Sequence, residues 1–148
     1  MPRKIPIEQK GFSPFLDMVG VTFNTVADGY SQAVLQITEP LLNSTRVVHG
    51  GVTFTLTDCG MGAALFSILD ENERVRTVET QIVYFRAVSS GTLVCDTRVI
   101  NRSKRIAVLE SEVKHKGKLV SKAIGTFSII KGRQEWKSLI EGEVVEDR

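Results

Sequence analysis

The chain has 148 residues, a length that suits one domain able to bury a real core. Hydrophobic residues make up 42% and charged residues 24%, an ordinary globular balance, and a net charge of +2 is too small to imply a nucleic-acid binder. Cys59 and Cys95 form neither a metal spacing nor a secreted disulfide framework. They read as buried thiols of a reducing compartment, and with no apolar stretch behind Met1-Pro2-Arg3-Lys4 to act as a signal peptide, a cytoplasmic location is expected.

In chain order, Ser13-Pro14 followed by Phe15-Leu16-Asp17-Met18 predicts a short helical turn, since Pro is tolerated at a helix start. Val19 to Val26 and Ser31 to Thr38 read as two strands around Asp28-Gly29, a strong hairpin signal. Gly50 to Leu69 is long enough for a membrane span, but Asp58 near its middle would cost roughly 2.5–3.5 kcal/mol there. Its apolar residues fall on nearly every face, which predicts a helix buried on all sides in a protein without a membrane segment. The charged run Asp70-Glu71-Asn72-Glu73-Arg74 is expected to end it. Thr77 to Phe85, Thr92 to Ile100, Arg105 to Lys114 and Leu119 to Ile130 read as strands, the last three forming an antiparallel meander. The tail from Arg133, with Trp136, Leu139-Ile140 and an acidic end, reads as a short docked helix. The expected organisation is one domain over 1–148, with a core over about 12–130 and a tail over 131–148. A twisted antiparallel sheet curled around one helix, helped by a second subunit, would cover that helix.

Chemistry concentrates between Asn43 and Asp58. His49-Gly50-Gly51 opens a helix whose first N–H groups lack intrahelical partners and carry the positive end of the helix dipole. The glycines leave that backbone open to a substrate carbonyl, whose developing oxyanion the N–H groups can hold. The competing reading is a plain turn before a helix. Asp58 is a lone carboxylate in an apolar segment, a costly placement that points either to chemistry or to a structural hydrogen bond to a strand. Gly50 and Asp58 lie about 12 Å apart along a helix. One carbonyl carbon cannot sit beside both, so two subunits related by a twofold axis would each supply half of a site.

Asn43, His49-Gly50-Gly51 and Asp58, followed by Thr77-Val78-Glu79-Thr80-Gln81-Ile82-Val83-Tyr84-Phe85, resemble the PaaI-like thioesterases. The resemblance covers nearly the whole chain. It implies an α+β hot-dog fold, a curled antiparallel sheet of 5–6 strands around one long helix, and a homodimer or homotetramer that hydrolyses acyl-CoA or aroyl-CoA thioesters without a cofactor. By the same resemblance Asp58 is the catalytic carboxylate, either nucleophile or general base. Gly50, with Gly51 beside it, donates to the thioester carbonyl. His49 and Asn43 orient the carbonyl and the water, and Thr77 helps place the water. Asp58 and Thr77 would face Asn43, His49 and Gly50 of the partner. Arg46 stands where the family commonly has Gly, and Arg86-Ala87 replaces a Pro-containing turn; both departures bear on substrate choice.

From Asp96 to Lys122 the chain carries eight Lys/Arg against three Asp/Glu. Arg102, Ser103, Lys104 and Arg105 cluster at one turn, suited to the phosphates of CoA, a role the resemblance favours over a merely solvated turn. Aromatic residues do not interleave with these charges, so a nucleic-acid partner is not expected. No His, Cys and carboxylate cluster suggests a metal, and no Gly-x-Ser-x-Gly elbow is present. Cys59, beside Asp58, is either a nucleophile or, as most free cysteines are, a core residue. Two rival functions are a non-catalytic acyl-CoA-binding module of the same fold and an enoyl-CoA hydratase.

Overall fold

A computed structural model describes residues 13–132. The first twelve residues and the tail with Trp136, Leu139 and Ile140 lie outside the described residues.

Helix α1 (Pro14–Val19) begins as its sequence predicts, with the Ser13 side chain accepting from the Leu16 N–H. Strands β1 (Val21–Ala27) and β2 (Tyr30–Gln36) are joined through Asp28 and Gly29. Both turn residues have positive φ, 53° and 75°, as a two-residue hairpin turn requires. A short 3-10 turn (Glu39–Leu41) and an irregular loop lead into the long helix α2 (Gly50–Phe66). Strands β3 (Glu73–Tyr84), β4 (Thr92–Arg102), β5 (Ile106–His115) and β6 (Lys118–Lys131) complete the order. The six strands form one antiparallel sheet in the order β1-β2-β4-β5-β6-β3. Strands β4 to β6 form the expected meander, and β3 lies at the far edge beside β6.

The sheet curls until α2 packs against every strand. Core side chains gather in two groups along the helix. Leu35, Leu56, Leu93, Cys95 and Val113 lie in the group that includes the first half of α2. Met61, Leu65, Leu69, Leu109 and Phe127 lie in the group of its second half. Contact is closest where side chains are missing. A Cβ on Gly60 would lie 2.8 Å from the Thr97 hydroxyl, and one on Gly125 would lie 2.5 Å from the Met61 sulfur.

Two features depart from the expectations. Helix α2 ends at Phe66 rather than Leu69, because the Ser67 hydroxyl turns back to donate to the Ala64 carbonyl. The same oxygen accepts the Gly29 N–H at 2.8 Å, tying the β1–β2 turn to the helix end. Strand β3 starts inside the charged run: Glu73 is 3% exposed and bonded to Arg102 and the Asp70 N–H. In keeping with a sheet that needs help to cover its helix, the described residues leave one side of α2 open. Gly51 and Phe54 are exposed, and Thr55, Asp58, Gly62 and Phe66 are half-buried. Their spacing of three to four residues makes them one stripe along the helix.

Two β-bulges reset which side chains face the helix. On β3 the register shifts between Thr77 and Glu79. Before it, Val75 and Thr77 lie opposite the buried Ile129 and Phe127; after it, Ile82 and Tyr84 lie opposite the buried Ala123 and Ser121. The inward set therefore changes from odd to even numbers. On β4 the shift between Val99 and Asn101 brings Arg102 opposite the buried Ala107, so Arg102 turns inward to meet Glu73.

Candidate active site

The segment before α2 is built around Asn43. Its side-chain oxygen accepts from the Thr45 N–H (3.0 Å), the Thr45 hydroxyl (2.9 Å) and the Val47 N–H (3.3 Å). A bridge between Leu42 and Val48, and a bond from the His49 N–H to the Leu41 carbonyl, bring Asn43 alongside the helix start. With its oxygen committed to the loop, Asn43 has its amide –NH2 left as a donor. Arg46 holds φ at 64°, the left-handed conformation that favours glycine, which accounts for the glycine common there in the family it resembles. Its ion pair with Glu39 is exposed and contributes at most about 1 kcal/mol.

His49 caps α2. Its Nδ1 accepts from the Gly51 N–H at 2.9 Å, and its backbone carbonyl accepts from Val52. The Gly50 N–H, one of the free donors of the first turn, has no acceptor among the described residues. Gly51 differs from Gly50: its N–H is held by His49 and its carbonyl takes the Thr55 hydroxyl. Of the two glycines, Gly50 is therefore the one with an N–H open to a ligand. Tyr84, at the end of β3, donates its hydroxyl to the Gly50 carbonyl at 2.9 Å.

Two helical turns on, Asp58 lies in the half-exposed stripe, and one carboxylate oxygen accepts the Thr77 hydroxyl at 2.9 Å. The β3 bulge next to Thr77 lets both Thr77 and Tyr84 face α2. Within one chain the structure thus joins Asp58 to Thr77, and His49 to Gly50 and Gly51. The two groups stay about 12 Å apart along the helix. Burial and then the neighbouring Asp58 push the Cys59 thiol up to about 12, which keeps it protonated at neutral pH and fits a core residue. Among the described residues no group of three or more His, Cys, Asp or Glu could hold a metal ion, and no helix is long and apolar enough to cross a membrane.

The basic turn divides. Arg102 is bound to Glu73, 4% exposed at its side chain, and the Ser103 hydroxyl closes the turn by bonding the Ile106 backbone. Lys104 and Arg105 stand exposed without a carboxylate partner among the described residues. Ala107 lies across β6 from Thr77, two strand spacings or about 10 Å away. The turn is therefore at the Asp58 level of the sheet rather than the Gly50 end. Sequence reasoning missed Tyr84 and Glu73 as partners of the expected site residues. Strict alternation puts Tyr84 on the face opposite Thr77, and Glu73 reads as part of a solvated run.

A family profile described as the thioesterase superfamily matches residues 46–122. A candidate esterase of Pseudomonas aeruginosa is 30% identical over 120 residues, covering 79% of this chain and 89% of that protein. Among solved structures, a conserved protein of the same organism superimposes with a TM-score of 0.78 at 35% identity, covering 80% of this chain and 95% of the other. A point mutant of the phenylacetic acid degradation protein PaaI of Thermus thermophilus superimposes with a TM-score of 0.73 at 24% identity, covering 78% and 98%. With its curled six-stranded sheet around one main helix, the chain belongs to the thioesterase superfamily and has the hot-dog fold of its PaaI-like members.

Proposed function

We propose that this chain hydrolyses acyl-CoA or aroyl-CoA thioesters to the free acid and CoA, as a homodimer with two sites. The observation that carries the reading is Asp58, held by the Thr77 hydroxyl in a stripe of α2 that the chain's own sheet leaves open. Each site combines Asp58 and Thr77 of one protomer with Asn43, His49 and Gly50 of the other. The 12 Å separation along α2 supports this division, because a single chain cannot present both groups to one carbonyl carbon. The edge strand β3 supports a second copy beside it: Val78 and Val83 on the strand and Phe85 just past its end are exposed, and its outer edge pairs with no strand among the described residues.

In this mechanism the Gly50 N–H donates to the thioester oxygen and gains strength as the oxygen becomes an oxyanion. Asp58 takes a proton from water as the water oxygen bonds to the carbonyl carbon. Collapse of the tetrahedral intermediate breaks the C–S bond, and the thiolate of CoA takes the proton back. Direct attack by Asp58, giving an acyl-aspartate anhydride that water then opens, uses the same geometry. Lys104 and Arg105 supply positive charge at the Asp58 level for the CoA phosphates. These steps need only water and the protein's own groups.

The test is thiol release from a panel of CoA thioesters by wild type and Asp58→Asn. The variant is expected to lose at least about a hundredfold in kcat while keeping its fold. Wild-type turnover in Asp58→Asn would remove the assigned role. Binding of CoA esters by the wild type without hydrolysis would make the chain a binding module instead.

A further inference from the structure

Two hydrogen bonds at the start of α2 share one peptide group. The Gly50 carbonyl accepts the Tyr84 hydroxyl at 2.9 Å, and the N–H of the same peptide, Gly51, donates to His49 Nδ1 at 2.9 Å. A bond to the carbonyl of a peptide polarises it and strengthens the bond its N–H donates. The series therefore runs from a strand-end phenol, through one peptide of the helix cap, to an exposed imidazole. Because Nδ1 is the acceptor, a neutral His49 must carry its proton on Nε2. That fixes the tautomer and leaves the Nε2–H as the free donor of an exposed side chain at the helix start.

The packing is consistent with this arrangement. The Tyr84 ring lies over Gly50 in ordinary van der Waals contact, and a Cβ there would sit 3.5 Å from the ring carbon bearing the hydroxyl. A Cβ on Gly51 would sit 3.0 Å from His49 Nδ1, so the imidazole lies folded over that glycine. Part burial raises the Tyr84 phenol above its ordinary value, which keeps it a donor at neutral pH. The β3 bulge is what turns Tyr84 to this side of the strand.

We infer that Tyr84 is a positioning residue that acts through the Gly50–Gly51 peptide to lock His49 with its Nε2–H directed at the substrate carbonyl. This rests on the thioesterase reading of the site. Tyr84→Phe keeps the ring over Gly50 and removes only the hydroxyl, so its melting temperature should stay close to wild type. Its kcat is expected to fall about tenfold with KM changed less than about twofold, the pattern of a lost orientation rather than lost binding. The direct readout is the long-range proton–nitrogen NMR spectrum of the imidazoles. The sequence has only two histidines, so a His49→Gln spectrum assigns them. Wild type should show His49 as the pure Nε2–H tautomer, and Tyr84→Phe a mixture. A pure Nε2–H tautomer in Tyr84→Phe overturns the inference whatever the kinetics, as does wild-type kcat in that variant. If the wild type hydrolyses no thioester, the functional reading fails, while the tautomer comparison still decides whether Tyr84 sets the imidazole.

Discussion

Glu73 carries a consequence that activity assays would not reveal. Burial pushes its carboxyl up, but the Asp70 N–H and the Arg102 guanidinium together pull it down further, below its ordinary 4.5. A carboxylate whose folded value is depressed contributes stability that is complete above the unfolded value and is lost as pH falls through the folded one. Denaturant titrations from pH 7 down to pH 3 should therefore show the wild type losing stability below about 4.5, where Glu73→Gln loses less. At pH 7 the variant should be less stable by about 1.5–3 kcal/mol, the worth of a hydrogen bond to a charged group. An identical acid limb in both proteins would mean the pair contributes nothing. The same residue scale explains Arg46: its exposed ion pair with Glu39 is weak, and the position is defined by a left-handed backbone rather than by its side chain.

At the scale of elements, the close approach of α2 to the sheet decides how much change the core accepts. Ser31 donates its hydroxyl to the Gly60 carbonyl at 2.7 Å, and Thr97 shares a 2.7 Å bond with Ser111 directly beneath that glycine. A methyl group on Gly60 meets the Thr97 oxygen at 2.8 Å, and this oxygen is held by a buried partner rather than being the loose end of a flexible chain. Gly60→Ala gains about 1 kcal/mol in helix propensity but overpacks the contact at a cost of typically about 1–3 kcal/mol. Thermal unfolding should show a lower melting temperature for this variant, whereas Gly62→Ala, with nothing within 4 Å of its Cβ, should be as stable as wild type or more so. Equal melting temperatures for the two variants would contradict the close packing of α2 on β2 and β4.

For the whole molecule, the division of each site between protomers is open to a complementation experiment. Gly50→Pro removes the N–H donor at the first helical position, where proline is favoured, and His49 already has the extended backbone that a following proline requires. Gly50→Pro and Asp58→Asn homodimers should both be nearly inactive. In a heterodimer of the two, one site carries both lesions and the other carries none. Remixing equal amounts through denaturant should therefore recover about a quarter of wild-type activity. No recovery, with heterodimers verified by mass spectrometry, would place both groups in one chain's site and reject the shared arrangement.

Much of this protein was legible from short-range chemistry alone. Asp28-Gly29 takes the positive φ values of a hairpin turn, and Ser13-Pro14 starts a helix, because a turn or a cap is fixed by two or three neighbouring residues. The His49-Gly50-Gly51 start of α2 and the lone Asp58 on it were visible for the same reason, and with them the 12 Å interval. What the sequence could not determine depends on pairing between strands distant in the chain. The bulges at Val78 and Ile100 are mismatches of register, and each reverses the facing of every residue beyond it. They alone turn Tyr84 toward Gly50 and Arg102 toward Glu73, so the peptide link to His49 and the buried ion pair came only from the tertiary structure. That the sheet alone would leave part of α2 uncovered was expected, but which residues form the open stripe was not legible, because an apolar pattern states what must be covered and not by what.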